Sequence, residues 1–100
     1  MVIRVDIDST ICITNGTDYE NALPIYENIK KINELYESGN TIIYWSSRGV
    51  CSGLDYTKLT EQQFINWKVK YNKIELNKPY YDVFIDDKVI NTKEYFNGVY

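Results

Sequence analysis

The stretch Val2-Ile3-Arg4-Val5-Asp6-Ile7-Asp8-Ser9-Thr10 decides the fold. Its β-branched run from Val2 to Ile7 is too brief for a helix and suits a buried, pleated strand, so it predicts a strand that ends near Asp6. Downstream, Asn15-Gly16 lies between short segments running from Thr10 to Tyr19, the strongest two-residue hairpin signal, and predicts a small flap after that strand. From Pro24 the apolar residues Ile25, Ile29, Ile32 and Tyr36 recur at helical spacing, opposite Glu27, Lys30, Lys31 and Glu34. Pro24 suits a first helical turn and Gly39 a C-terminal cap, which predicts a helix over 24–38. Thr41 to Trp45 is then a continuous apolar run ending in Ser46-Ser47-Arg48-Gly49, and reads as a second buried strand.

Residues 49–59 contain two glycines and no clear period, a loop of the length that carries function more often than mere connection. Thr60 with Gln63 fits a capping box, and Phe64, Trp67 and Tyr71 fall on one helical face, which predicts a second helix over 60–72 with an aromatic core stripe. Ile74 to Leu76 reads as a short edge strand and Lys78-Pro79 as a turn. Val83-Phe84-Ile85 reads as a further strand ending in Asp86-Asp87, and the residues from there to Tyr100 are ambiguous. Strands alternating with helices demand a parallel sheet, because each crossover helix returns the chain to the same starting edge. The expected fold is α/β, Rossmann-like, with a short three- to four-stranded parallel sheet flanked by helices and all strand C-termini on one edge. Ligands bind at that edge of open parallel sheets, and it is expected to receive Asp6, Asp8, Ser46, Asp86 and Asp87.

With 100 residues, 44% of them hydrophobic and 25% charged, and only five Gly and two Pro, neither disorder nor a fibrous class fits, and residues 1–100 are expected to form one domain. The chain has no histidine, which excludes Ser-His-Asp and Cys-His catalysis, histidine-ligated metals and imidazole proton transfer. Acid–base work falls to carboxylates, Lys or Tyr. A net charge of −3 without a Lys/Arg run argues against a nucleic-acid-binding module. Cys12 and Cys51 are too far apart for a CxxC pair and too few for a thiolate zinc site, so both read as free thiols. Nothing resembles a signal peptide or an 18-residue apolar span, so no membrane contact and a cytoplasmic location are expected.

Four of the seven aspartates fall in two clusters at the ends of expected strands, and like charges placed close together are costly unless a cation neutralises them. Carboxylate oxygens without imidazole or thiolate favour a hard ion such as Mg2+, which uses one or two carboxylates, several waters and a substrate phosphate.

The order Asp6-Ile7-Asp8-Ser9-Thr10, strand-terminal Ser46, Lys78 and then Ile85-Asp86-Asp87 resembles the four motifs of the haloacid dehalogenase superfamily of phosphotransferases, over nearly the whole chain from Val2 to Ile90. Tyr44 to Gly49 and Lys78 to Lys88 resemble the small hydrolases without a cap domain that accompany capsular polysaccharide biosynthesis genes. The resemblance implies a Mg2+-dependent phosphatase that hydrolyses a phosphomonoester, a sugar phosphate being one candidate, through an aspartyl-phosphate. Asp6 would be the nucleophile and a metal ligand. Asp8 would be the general acid and then the base, with its backbone carbonyl on the metal. Ser46 and Lys78 would hold the transferring phosphoryl group, Asp86 and Asp87 would complete the metal shell, and Thr10 would steady the loop and position Asp8. Arg48 is a supporting candidate, either pairing with a second anionic group of the substrate or forming a structural salt bridge.

Ser9 stands where that family commonly has Gly. The stretch from Asp8 to Ile42 is too short for a cap domain, so the site is expected to be open, with 14–19 and 49–56 as the segments placed to touch a leaving group. Only 13 residues follow Asp87, so a full fifth strand and its crossover are expected to be missing, and the exposed sheet edge would need the aromatic tail or a second copy of the chain to cover it. Two alternatives use the same residues: a catalytically inactive module that binds phosphate or Mg2+, and a receiver-like signalling domain. The receiver is disfavoured because here the spaced acidic pair comes first and the adjacent pair last.

Overall fold

The computed structural model describes residues 1–96. Three strands, β1 (Val2–Val5), β4 (Thr41–Trp45) and β5 (Lys73–Glu75), form a parallel sheet in the order β1-β4-β5. The register sets Val2 beside Thr41 and Val5 beside Tyr44, then Ile43 beside Lys73 and Trp45 beside Glu75. Between β1 and β4 the chain makes a two-stranded antiparallel ribbon, β2 (Cys12–Ile13) with β3 (Leu23–Pro24), and the helix α1 (Tyr26–Glu37). The helix α2 (Thr57–Trp67) crosses from β4 to β5, and α3 (Thr92–Tyr95) follows later. The parallel α/β architecture expected from the alternation of elements is therefore present. No helix among the described residues is long and apolar enough to cross a membrane.

The core lies where the helices meet the sheet: Val5, Ile7, Ile11, Ile42 and Tyr44 pack with Ile29 and Ile32 of α1 and with Phe64 and Trp67 of α2. Tyr44 and Phe64 meet edge to face at 4.9 Å between ring centroids, the arrangement that the ring quadrupoles favour. The inward stripe of α1 differs from the expected one. Tyr36 is exposed, and Asn28 is fully buried in its place, its amide donating to the Thr10 carbonyl at 2.9 Å.

Several element boundaries correct the sequence expectation. Pro24 belongs to β3, and α1 begins at Tyr26 without a side-chain cap. Gly39 closes α1 as expected, with φ +94°. α2 begins three residues before Thr60, where the Asp55 carboxylate accepts the Thr57 N–H at 2.9 Å, so Thr60 and Gln63 are interior residues and form no capping box. It stops at Trp67 because Lys68 takes a left-handed conformation (φ +57°), leaving Tyr71 beyond the helix but still packed on the core.

The hairpin is wider than a two-residue Asn-Gly turn. β2 and β3 enclose residues 14–22, which include a 3-10 turn at Tyr19–Asn21.

The largest correction concerns Val83-Phe84-Ile85, which forms no strand. These residues are 74%, 44% and 92% exposed, and the third strand of the sheet is instead β5. An apolar triplet reads as a strand only if an edge accepts it, and among the described residues the outer edge of β1 has no partner strand.

Candidate functional site

The C-terminal ends of β1, β4 and β5 open into a cleft of about 330 Å³ lined by Asp6, Asp8, Ser46, Lys78, Tyr19 and Tyr81, with Gly16, Ser47, Arg48 and Tyr80 completing its wall. Parallel strands deliver these residues together because each strand ends on the same edge. Asp6 follows β1 directly, Ser46 follows β4, and Lys78 comes three residues after β5. Two backbone bonds tie the last two together: Ser46 N–H donates to the Glu75 carbonyl at 3.0 Å, and Lys78 N–H donates to the Ser46 carbonyl at 3.1 Å.

Asp6 faces Lys78, with Nζ 3.8 Å from its Oδ1. The lysine ammonium also lies 5.4 Å from the ring centroids of both Trp45 and Tyr81, which confine it over the cleft. Burial pushes the Asp6 carboxyl above its ordinary value, and the Lys78 charge and the Ile7 backbone N–H offset this only in part. Its side chain is still 41% exposed. Ser46 Oγ accepts the Arg48 backbone N–H at 3.1 Å, which leaves its own hydroxyl proton free to donate to an anion.

Asp8 is held from both sides. Arg48 Nε donates to Oδ2 and Arg48 Nη2 to Oδ1, both at 2.9 Å, and Thr14 Oγ1 donates to Oδ1 at 2.5 Å. Burial alone would raise its pKa, but the hydrogen bonds and charge of the Arg48 guanidinium outweigh it and hold the carboxyl below its ordinary value. Asp8 thus rests as a carboxylate.

The Arg48 side chain is fully buried. Its remaining nitrogen, Nη1, donates to Thr60 Oγ1 at 3.0 Å and Gln63 Oε1 at 2.7 Å, and the Tyr19 ring lies 4.9 Å from the guanidinium carbon. Of its two expected roles the structure selects the salt bridge.

The Thr10 hydroxyl makes no hydrogen bond to Asp8. It pairs with that of Thr92 at 2.7 Å, so it anchors the loop after β1 to α3, while Thr14 and Arg48 position Asp8. Asp86 and Asp87 are exposed and absent from the cleft wall, and Asp86 accepts the Lys88 backbone N–H at 2.8 Å in a local turn. The structure therefore does not bring them to Asp6 and Asp8, and among the described residues no three acidic or cysteine side chains converge as a cation site.

Gly16 and Tyr19 place the flap against the cleft, as expected. The 49–56 loop instead lines a neighbouring cleft of about 490 Å³. Gly49 is needed there: its φ is +83°, and a Cβ would stand 2.0 Å from the Leu54 carbonyl oxygen. Tyr80 and Tyr81 were not anticipated, because a Tyr-Tyr pair after a turn carries no periodic or motif signal. Cys12 is buried with its thiol pushed up to about 12 by burial, which makes it unreactive, and Cys51 is exposed.

No family model matches the chain, and no curated protein matches it. Among solved structures, a structural-genomics target from Vibrio cholerae is similar, with a TM-score of 0.86 and 22% sequence identity over 96% of this chain and 87% of that one. At that identity the likeness concerns the fold.

Proposed function

We propose that this chain is a phosphatase of the haloacid dehalogenase type without a cap domain, hydrolysing a phosphomonoester in two displacements. The observation that carries the reading is the pairing of a partly desolvated carboxylate, Asp6, with the Lys78 ammonium at 3.8 Å, beside a buried Ser46 hydroxyl with a free proton. A raised carboxyl opposite a cation is a nucleophile next to an anion-binding group.

In the first displacement an Asp6 oxygen bonds to phosphorus and the bond to the leaving oxygen breaks. Lys78 and Ser46 offset the charge on the equatorial oxygens. In the second, Asp8 takes a proton from water, the water oxygen bonds to phosphorus, and the bond to Asp6 breaks. The first step needs a proton on the leaving oxygen only when that group is a poor one, such as a sugar alkoxide, and Asp8 supplies it when protonated.

Mg2+ is the cofactor that the resemblance implies. The side chains as placed do not complete its site: Asp6 lines the cleft but is paired with Lys78, and Asp86 and Asp87 stand apart from it. The same displacement of Asp86 and Asp87 favours, as a second reading, a phosphate-binding module without turnover.

The test screens purified protein against para-nitrophenyl phosphate and phosphorylated sugars, with and without Mg2+. Turnover with radiolabelled phosphate trapped on Asp6 is expected. Phosphate binding without turnover in any condition would favour the inactive module, and neither binding nor turnover would overturn both.

A further inference from the structure

We infer that Arg48 is the positioning residue for Asp8, and that Gln63 couples the aim of that carboxylate to the flap. The inference rests on the phosphatase reading above. A guanidinium with no exposed side-chain surface is expensive in a domain this small unless each donor is engaged. Here two donors on one edge form a fork on Asp8, and Nη1, at the other edge, is held by Thr60 and Gln63 of α2. A bidentate fork fixes the plane of a carboxylate, which a point charge such as lysine cannot do.

Gln63 faces both ways. Its Oε1 accepts from Arg48 at 2.7 Å and its Nε2 donates to the Tyr19 carbonyl at 2.6 Å, while the Tyr19 ring lies over the guanidinium and lines the cleft. A flap that moves away from the cleft withdraws the Tyr19 carbonyl from Gln63 and loosens the backing of Arg48. The carboxylate that must meet water during hydrolysis of the aspartyl-phosphate is thus aimed only while the flap is seated. In that step the proton goes from water to Asp8, the new P–O bond forms, and the electrons of the broken bond return to Asp6.

The test is rapid-quench kinetics with para-nitrophenyl phosphate on wild type, Arg48→Lys, Arg48→Ala, Gln63→Leu and Asp8→Asn. Arg48→Lys keeps the charge and loses the fork. It should release about one equivalent of aryl product in a burst and then turn over about a hundredfold more slowly than wild type, with KM little changed and phosphate retained on Asp6. Guanidinium added to Arg48→Ala should restore part of the steady rate. Gln63→Leu leaves both charges in place and should show the same pattern at smaller amplitude, which keeps the test decisive if the arginine variants fail to fold.

A residue that serves structure alone would lower burst and steady rate together, in proportion to the folded fraction seen by circular dichroism. That result, or wild-type hydrolysis in Arg48→Lys, would overturn the inference and leave the phosphatase reading standing. Wild-type kinetics in Gln63→Leu would overturn the coupling to the flap. If no phosphate is trapped on Asp6 even in Asp8→Asn, the phosphatase reading fails and this inference fails with it.

Discussion

Asp6 and Asp8 carry the same side chain two residues apart, and their surroundings push them in opposite directions. Asp8 has a folded pKa below its ordinary value of 3.8, so its ion pair contributes stability that is fully present above about pH 3.8 and is lost as pH falls through the lower folded value. Asp6 has a folded pKa above 3.8, so its ionised form costs stability at neutral pH, and that cost disappears as pH falls from the raised value toward 3.8. Urea denaturation followed from pH 7 to pH 2 should separate the two. Asp6→Asn should be at least as stable as wild type at pH 7 while losing all turnover. Asp8→Asn should lose about 3 kcal/mol at pH 7, because it strips a buried guanidinium of its counter-charge, and should show less acid lability than wild type. An Asp6→Asn protein clearly less stable than wild type at pH 7 would contradict the desolvation of this carboxylate.

Asp6, Asp8 and Ser46 were legible as candidates in the sequence because their spacing from strand ends is local information, whereas Lys78 stood out only through the motif resemblance. The partner of Arg48 was not, since 40 residues separate it from Asp8 and only the sheet brings them together. Ser9 shows the same limit. Its φ of +67° is left-handed, a conformation that favours glycine, and only the backbone reveals it.

At the scale of elements, β4 was readable because a central parallel strand is covered on both faces, which leaves an unbroken apolar run, whereas β1, an edge strand with Val2 and Arg4 exposed, was readable from its β-branched residues. Val83-Phe84-Ile85 has the same composition and stays exposed, because pairing depends on an edge that no local pattern reports. Thr60 and Gln63 were misread for a related reason: a hydroxyl and an amide three residues apart suit a helix start, and equally suit a grip on a buried cation. The two readings differ measurably. Thr60→Val keeps shape and removes one of the two acceptors of Arg48 Nη1, so it should cost about 1.5 kcal/mol in chemical denaturation without loss of helix by far-ultraviolet circular dichroism. A loss of helical signal would restore the capping role. Gly49→Ala should destabilise the chain by about 2 kcal/mol or more, since the 49–56 loop must open to relieve the contact with Leu54; an unchanged melting temperature would show that this turn is not required.

Across the whole molecule, the chain leaves the cleft after Tyr81, passes the exposed residues Val83 to Ile90 and returns to the core at Phe96, which is 2% exposed. Phe96 joins the cluster around Ile29 and Ile32, the Lys31 ammonium lies 5.8 Å from its ring centroid, and the Thr10–Thr92 hydroxyl pair fixes the approach. A four-residue helix and one aromatic residue are too brief to show any period, which is why the tail could not be assigned from sequence. Its anchoring matters for the cleft, because Thr10 belongs to the loop that carries Asp8 and is held by this tail. Phe96→Ala should therefore cost about 3 kcal/mol, from the lost apolar burial and the cavity left behind. For a domain of this size that lowers the melting temperature by more than about 10 °C. Thr92→Val, which removes only the hydroxyl contact, should shift it far less. If Phe96→Ala melts within about 2 °C of wild type, the tail is not part of the core, and the loop after β1 must be held by Asn28 and the Arg48–Asp8 pair alone.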